Sequence, residues 1–266
     1  MKSFDTSILA DLYTPPSSSH KGDNGRLLII GGSRLFHAAS LWPLEIASKI
    51  VDMVFYSSVP ENNEIVKEAK SEFRNGIVIP REKIDDYIVE ADCVLIGPGM
   101  PRANGQMEGD DDTRELTERL LKKYTDKKWV IDGGSLQTFD VSLLKNLKKI
   151  PILTPHVQEF EILKVKSSKL KVLSQNLKIE EQVKLFVQEF NCIVVLKGEE
   201  DIICSPIDCI KIKGGNAGMT KGGTGDVLAG LVAALYAQND DAFLAASAAS
   251  YINKKAGESL SQKVGI

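Results

Sequence analysis

Glycines at positions 214, 215, 218, 222, 223 and 225 lead directly into Asp226, so one stretch combines permissive backbone with a carboxylate. Glycine reaches positive φ without steric cost and lets backbone N–H groups approach a ligand closely. The following residues, Val227 to Tyr236, are small and apolar with no breaker, which predicts a buried helix starting around Gly225. The first turn of such a helix offers free N–H groups and the positive end of the helix dipole, a natural site for phosphate. A carboxylate there is repelled unless it faces a cation or has a proton to accept, which makes Asp226 a candidate general base. Aspartate in a first helical turn more commonly just satisfies free N–H groups. The length of the glycine loop favours the chemical role. No Gly-Lys-Ser/Thr and no G-x-G-x-x-G occurs in the stretch, so neither a Walker loop nor a dinucleotide fingerprint is present.

Other candidates stand where predicted strands end. Arg26–Ile30 reads as a buried strand stopping at Gly31-Gly32-Ser33, followed by a helix over Ala38–Lys49. Further strands are predicted at Met53–Tyr56, Ile77–Ile79, Asp92–Ile96, Trp129–Ile131, Ile152–Leu153 and Cys192–Leu196. They end in turns that include Gly97-Pro98-Gly99, Asp132-Gly133-Gly134-Ser135, Thr154-Pro155-His156 and Lys197-Gly198. Pro155 sets the exit from its strand and puts His156 near a helix N-terminus, where a neutral imidazole is favoured over the cation. Lys197, directly after a buried strand, points its ammonium toward the edge where phosphate oxygens would lie.

Helices are predicted at Glu61–Lys70, Thr113–Tyr124, Val157–Leu163, Glu180–Phe190 and Asp240–Gly257, with a hairpin of Ile202–Cys204 and Cys209–Ile212 before the glycine loop. Strand and helix alternate almost throughout, which predicts a doubly wound α/β sheet with these turns along one edge. Residues 1–25 read as a polar loop or arm and 26–266 as one domain; His20 and Lys21 are given no role. Asp110 to Asp112 read as a solvated loop, since three adjacent carboxylates cannot all converge on a metal.

With 43% hydrophobic and 26% charged residues and a net charge of −3, the chain is ordinary for a globular protein and lacks the basic surface that binds nucleic acid. No stretch suits a membrane span, and no apolar segment follows Met1, so a cytoplasmic location is expected. Cys93, Cys192, Cys204 and Cys209 form no C-x-x-C pair and are expected as buried free thiols.

Gly31-Gly32-Ser33, Gly97-Pro98-Gly99, Leu153-Thr154-Pro155-His156, Glu159-Phe160, Val195-Leu196-Lys197-Gly198, Asn216-Ala217-Gly218-Met219 and Gly222-Gly223-Thr224-Gly225-Asp226 occur in that order. Together they resemble the nucleotide-dependent NAD(P)H-hydrate dehydratases, over nearly the whole chain after residue 20. The resemblance implies a ribokinase-like fold without a lid domain, often a homotetramer. The activity implied is phosphorylation by ATP or ADP, with Mg²⁺, of the C6 hydroxyl of hydrated NADH or NADPH (NADHX or NADPHX), then loss of phosphate. It matches Asp226 to the base and the amides around Gly223 to Gly225 to stabilisation of the transferring group. Ala38, Gly99 and His156 match substrate contacts; Lys197, Gly198, Glu199, Glu200, Asp201 and Gly225 match nucleotide contacts. Three positions depart from the family pattern: Gly133-Gly134-Ser135 after Asp132, Pro101 where a glycine is usual, and Asp201 where threonine is common. Two other readings share the loop: a ribokinase-like kinase of a small hydroxymethyl or hydroxyethyl heterocycle, which releases a stable phosphate ester, and a non-catalytic nucleotide sensor.

Overall fold

The computed structural model describes residues 2–102, 106–167, 170 and 177–265. Among these, ten strands form one sheet: β1 (Lys2–Ser3), β2 (Arg26–Ile30), β3 (Met53–Ser57), β4 (Ile77–Val78), β5 (Cys93–Ile96), β6 (Lys128–Ile131), β7 (Ile152–Leu153), β8 (Ile193–Leu196), β9 (Asp201–Cys204) and β10 (Cys209–Ile212). Their spatial order is β1-β10-β9-β8-β7-β6-β5-β2-β3-β4. Only β9 runs against the rest, because it forms the hairpin with β10. The central strands are short, rich in β-branched residues and buried on both faces, as a helix-covered parallel sheet requires, while the edge strands β1 and β4 are more exposed.

Alternation decides the two cores. Leu28, Ile30, Val94 and Ile131 face one apolar layer, and Leu27, Ile29, Leu95 and Val130 the other. The first layer is closed by α3 (Ile84–Glu90), α4 (Thr113–Lys123), α5 (Gly133–Thr138), α6 (Val157–Lys164) and α7 (Ile179–Phe190). The second is closed by α1 (Ala38–Ala47), α2 (Pro60–Phe73), α8 (Thr224–Gln238) and α9 (Ala242–Val264).

Strand order reverses at β2, with β5 on one side and β3 on the other, so the turns after β2 and β5 meet at the sheet's carboxyl edge. Gly32 N–H donates to Pro98 O at 2.7 Å across that junction. Gly133, at φ +54°, and Gly134 pack their backbone onto the same turn: a Cβ on Gly134 would lie 2.3 Å from Met100 O. That contact accounts for the glycine pair after Asp132.

Three expectations change. The segment before residue 26 is not a free arm throughout: β1 extends the sheet beside β10, and Phe4 stacks on Tyr251 of α9. The acidic loop is not simply solvated, because each aspartate has a partner. Asp110 accepts from Arg34 N–H, Asp111 pairs with the half-buried Arg81 at 2.7 Å, and Asp112 caps α4 through Glu115 N–H. Cys204 and Cys209 are disulfide-bonded rather than free, since the hairpin register sets them directly opposite with Cα atoms 4.2 Å apart. Cys93 and Cys192 are free and buried, and burial pushes both thiols up.

Candidate active site

Helix α8 begins after Gly223, whose φ of +98° is open to glycine at little cost, and no side chain caps it. A Cβ on Gly223 would strike the Trp42 ring at 2.5 Å, so the loop can lie on α1 only with glycine there. Two residues later, a Cβ on Gly225 would approach Lys197 Nζ at 3.2 Å. The helix start therefore sits directly over the lysine that leaves β8.

Lys197 is the hub of a buried charge cluster drawn from three adjacent strand ends. Its ammonium lies 3.0 Å from Asp132 Oδ1, at the end of β6, and 4.0 Å from Glu159 Oε2, in the first turn of α6. Burial alone would lower the lysine's pKa, but Asp132, Glu159 and Asp226 outweigh it and hold the group firmly charged. Asp132 is fixed further by Thr154, whose hydroxyl donates to Oδ1 at 2.7 Å. Glu159 accepts from His156 N–H at 3.0 Å, and Glu159 N–H donates to His156 Nδ1 at 3.3 Å, a capping box at the start of α6. Nδ1 is thus an acceptor, which leaves Nε2 as the ring's other hydrogen-bonding atom.

Asp226 has the opposite environment. Burial, then the charge of Asp132, push its carboxyl up to about 7, with Lys197 only partly offsetting them. A carboxylate poised near neutrality beside free helical N–H groups suits proton abstraction next to a bound phosphate.

A cavity of about 920 Å³ opens on the glycine loop. The structure brings His156, Lys197, Gly198, Glu199, Glu200, Asp201, Gly223 and Gly225 to its wall. Asp226 follows Gly225 in the helix's first turn. Asp226, Ala38 and Gly99 are not on that wall; Ala38 and Gly99 stand at the sheet's switch point, where Gly99, at φ +70°, packs against Phe36 O and Ala39. Asp201's carboxylate is engaged by Gly198 N–H and Ser250, and Glu200 pairs with Lys213 at 3.2 Å.

Sequence reasoning missed several members. Glu159's role could have been read from its position three residues after His156, the spacing of a capping box. Lys254 also lines the cavity, and its signal was the polar stripe Ser247, Ser250, Lys254 in an alanine-rich helix. Nothing in the sequence pointed to Trp42. Among the described residues no three His, Cys, Asp or Glu side chains converge as a metal site.

A family model described as NAD(P)H-hydrate dehydratase matches residues 27–266. The chain is 36% identical over 257 residues to a bifunctional NAD(P)H-hydrate repair enzyme of Methanocaldococcus jannaschii, covering 94% of this chain and 46% of that protein. It thus spans about half the length of that relative. It is 31% identical over 280 residues to an ADP-dependent (S)-NAD(P)H-hydrate dehydratase of Nitrosopumilus maritimus, covering 98% of this chain and 90% of the relative. A ribokinase-like superfamily protein of Enterococcus faecalis shares the fold, with a TM-score of 0.79 at 23% identity over 98% of this chain and 88% of the other.

Proposed function

Because the chain belongs to the NAD(P)H-hydrate dehydratase family, we propose that it restores hydrated NADH or NADPH to the reduced cofactor at the expense of ADP or ATP. The observation that carries this reading is Asp226, its carboxyl raised to about 7 at the start of a glycine-fed helix. In this reading Asp226 takes the proton of the C6 hydroxyl as that oxygen bonds to the nucleotide's terminal phosphorus. The bond to the departing AMP or ADP breaks. Phosphate then leaves C6 with its bonding electrons while C5 gives up a proton, which completes the dihydronicotinamide.

The protein's contribution is alignment and charge. In this reading the amides around Gly223 to Gly225, at the uncapped start of α8, stabilise the transferring phosphoryl group. Lys197 offsets only part of the charge of Asp132 and Glu159, and the excess negative charge, with burial, leaves Asp226 the carboxylate that exchanges a proton near neutral pH. Mg²⁺ bound with the nucleotide would supply charge neutralisation for its phosphates. Asp132 and Glu159 are both engaged by the Lys197 ammonium, so the donor set suits a cation arriving on the nucleotide rather than one held by protein alone. A homotetramer in the cytoplasm is the assembly and location the family likeness suggests.

The test is incubation of the chain with hydrated NADH, Mg²⁺ and either nucleotide. Return of near-ultraviolet absorbance with release of phosphate is expected. A stable phosphate ester without absorbance would indicate a kinase, and nucleotide binding without consumption a sensor; either result overturns the proposal.

A further inference from the structure

Helix α9 sends one buried cation to the cavity. Lys254 donates to the carbonyls of Gly198 at 3.0 Å, Glu199 at 2.9 Å and Gly214 at 3.4 Å. Asp201 Oδ1 lies 3.4 Å from the same ammonium and accepts from Gly198 N–H at 3.0 Å, while Oδ2 accepts from Ser250 of α9 at 2.7 Å. Lys254 and Asp201 are both buried. Gly198 and Glu199 form the turn after β8, and Gly214 begins the glycine loop after β10; both segments line the cavity. An ammonium has three protons, and these carbonyls and the carboxylate occupy them, so Lys254 is not placed as a phosphate ligand.

We propose that Lys254, held by Asp201, is a positioning residue that fixes the spacing of the two loops receiving the adenine nucleotide, and so sets nucleotide affinity. The inference rests on the reading that this cavity takes ADP or ATP. A neutral side chain at 254 leaves three backbone carbonyls without their shared donor, and the loops must then find water or move apart. A bound nucleotide has to restore their spacing, which weakens binding. Lys197 stands one residue before this turn, but its ammonium is tied from the other side by Asp132 at the end of β6 and Glu159 of α6, which the clamp does not touch. Chemistry on a nucleotide already bound is therefore spared.

The test is a calorimetric titration of Mg²⁺-ADP into the wild-type chain, Lys254→Met, and the double variant Asp201→Asn with Lys254→Met. The double variant removes both buried charges together and avoids stranding one of them. ADP affinity is expected to fall about tenfold or more in both variants, the loss of a charge-assisted hydrogen-bond set. Lys255→Ala, at the exposed neighbouring position, is expected to bind as wild type. For Lys254→Met at saturating nucleotide kcat should stay within about twofold, with its pH profile unmoved, because no proton-transfer group has changed. A folded double variant with wild-type ADP affinity, or one that loses kcat while keeping affinity, overturns the clamp. Wild-type chain that binds no ADP overturns both this inference and the reading beneath it. Wild-type chain that binds ADP without dehydrating the substrate removes that reading's chemistry alone, and the same titration still decides the clamp.

Discussion

Asp226 couples activity to stability through one proton. Its folded-state carboxyl is raised to about 7 by burial and by Asp132, above the 3.8 of an unperturbed aspartate. The native state therefore holds this proton more tightly than the unfolded chain does. The stabilisation is complete below about pH 4 and is lost as pH rises through about 7. A base must have lost the same proton, so turnover should rise with pH across that window as stability falls. Asp226→Asn is expected to cut turnover by about 10²- to 10⁴-fold, retain ADP binding and raise the melting temperature at pH 8. Asp132→Asn removes the leading charge that opposes the anion, and should move the acid limb of the pH–rate profile below 7. An unmoved limb would mean that Asp132 does not set the base. Asp226, Lys197 and His156 were legible as candidates because glycine, proline and strand ends mark them in the sequence. Their clustering with Asp132 was not, since it depends on β6, β7 and β8 being neighbours in the sheet.

Helix α8 is held to α1 by absent side chains. A Cβ on Gly230 would lie 2.6 Å from Pro43 Cα and 2.8 Å from Ile46 Cγ2. Helix propensity favours alanine over glycine by about 1 kcal/mol. Overpacking against backbone costs about 1–3 kcal/mol and cannot be relieved by rotating a flexible chain. Gly230→Ala is thus expected to lower the melting temperature, and a rise would show that α1 yields more easily than its backbone contact implies. Helix α8 was legible from its unbroken small apolar run and α9 from its alanine richness; α3 and α5 were not legible. Helix α5 opens with two glycines, so propensity argues against it, and it forms because only glycine packs so near Met100 O. Helix α9 runs to Val264, beyond the predicted stop at Gly257, because that glycine is not a terminus. It makes room for Met219 of the glycine loop, whose Sδ lies 2.4 Å from where its Cβ would stand. The hairpin was legible as a pair of strands, but its disulfide needed the register. Under denaturing conditions without reductant, thiol titration should count the two cysteines Cys93 and Cys192, and all four after reduction. Four thiols before reduction would refute the bridge.

Across the whole molecule, the sheet's two edges are unequal, and the one near the cavity is covered by the chain's own beginning. β10 would be an open edge of unpaired backbone groups without β1, which pairs Lys2 with Ile210 and Ser3 with Lys211. Phe4 stacks on Tyr251 at 4.9 Å, and Leu9 and Leu12 pack against the layer that holds α8 and α9. β10 leads through Lys213 into the glycine loop, so loosening this edge reaches the cavity wall as well as the core. Removal of the first twelve residues is expected to lower the melting temperature, promote association through the bared edge and raise the KM for ADP. It should leave kcat nearly unchanged, because Lys197, Asp132 and Glu159 lie on the other side of β9 and α8, which carries Asp226, packs on β5 and β6. Thermal melts, light scattering and nucleotide kinetics on the truncated chain check this together. Unchanged stability would show that β1 and Phe4 merely rest on the sheet, and a collapse of kcat with KM intact would mean that the edge supports the chemistry rather than the nucleotide.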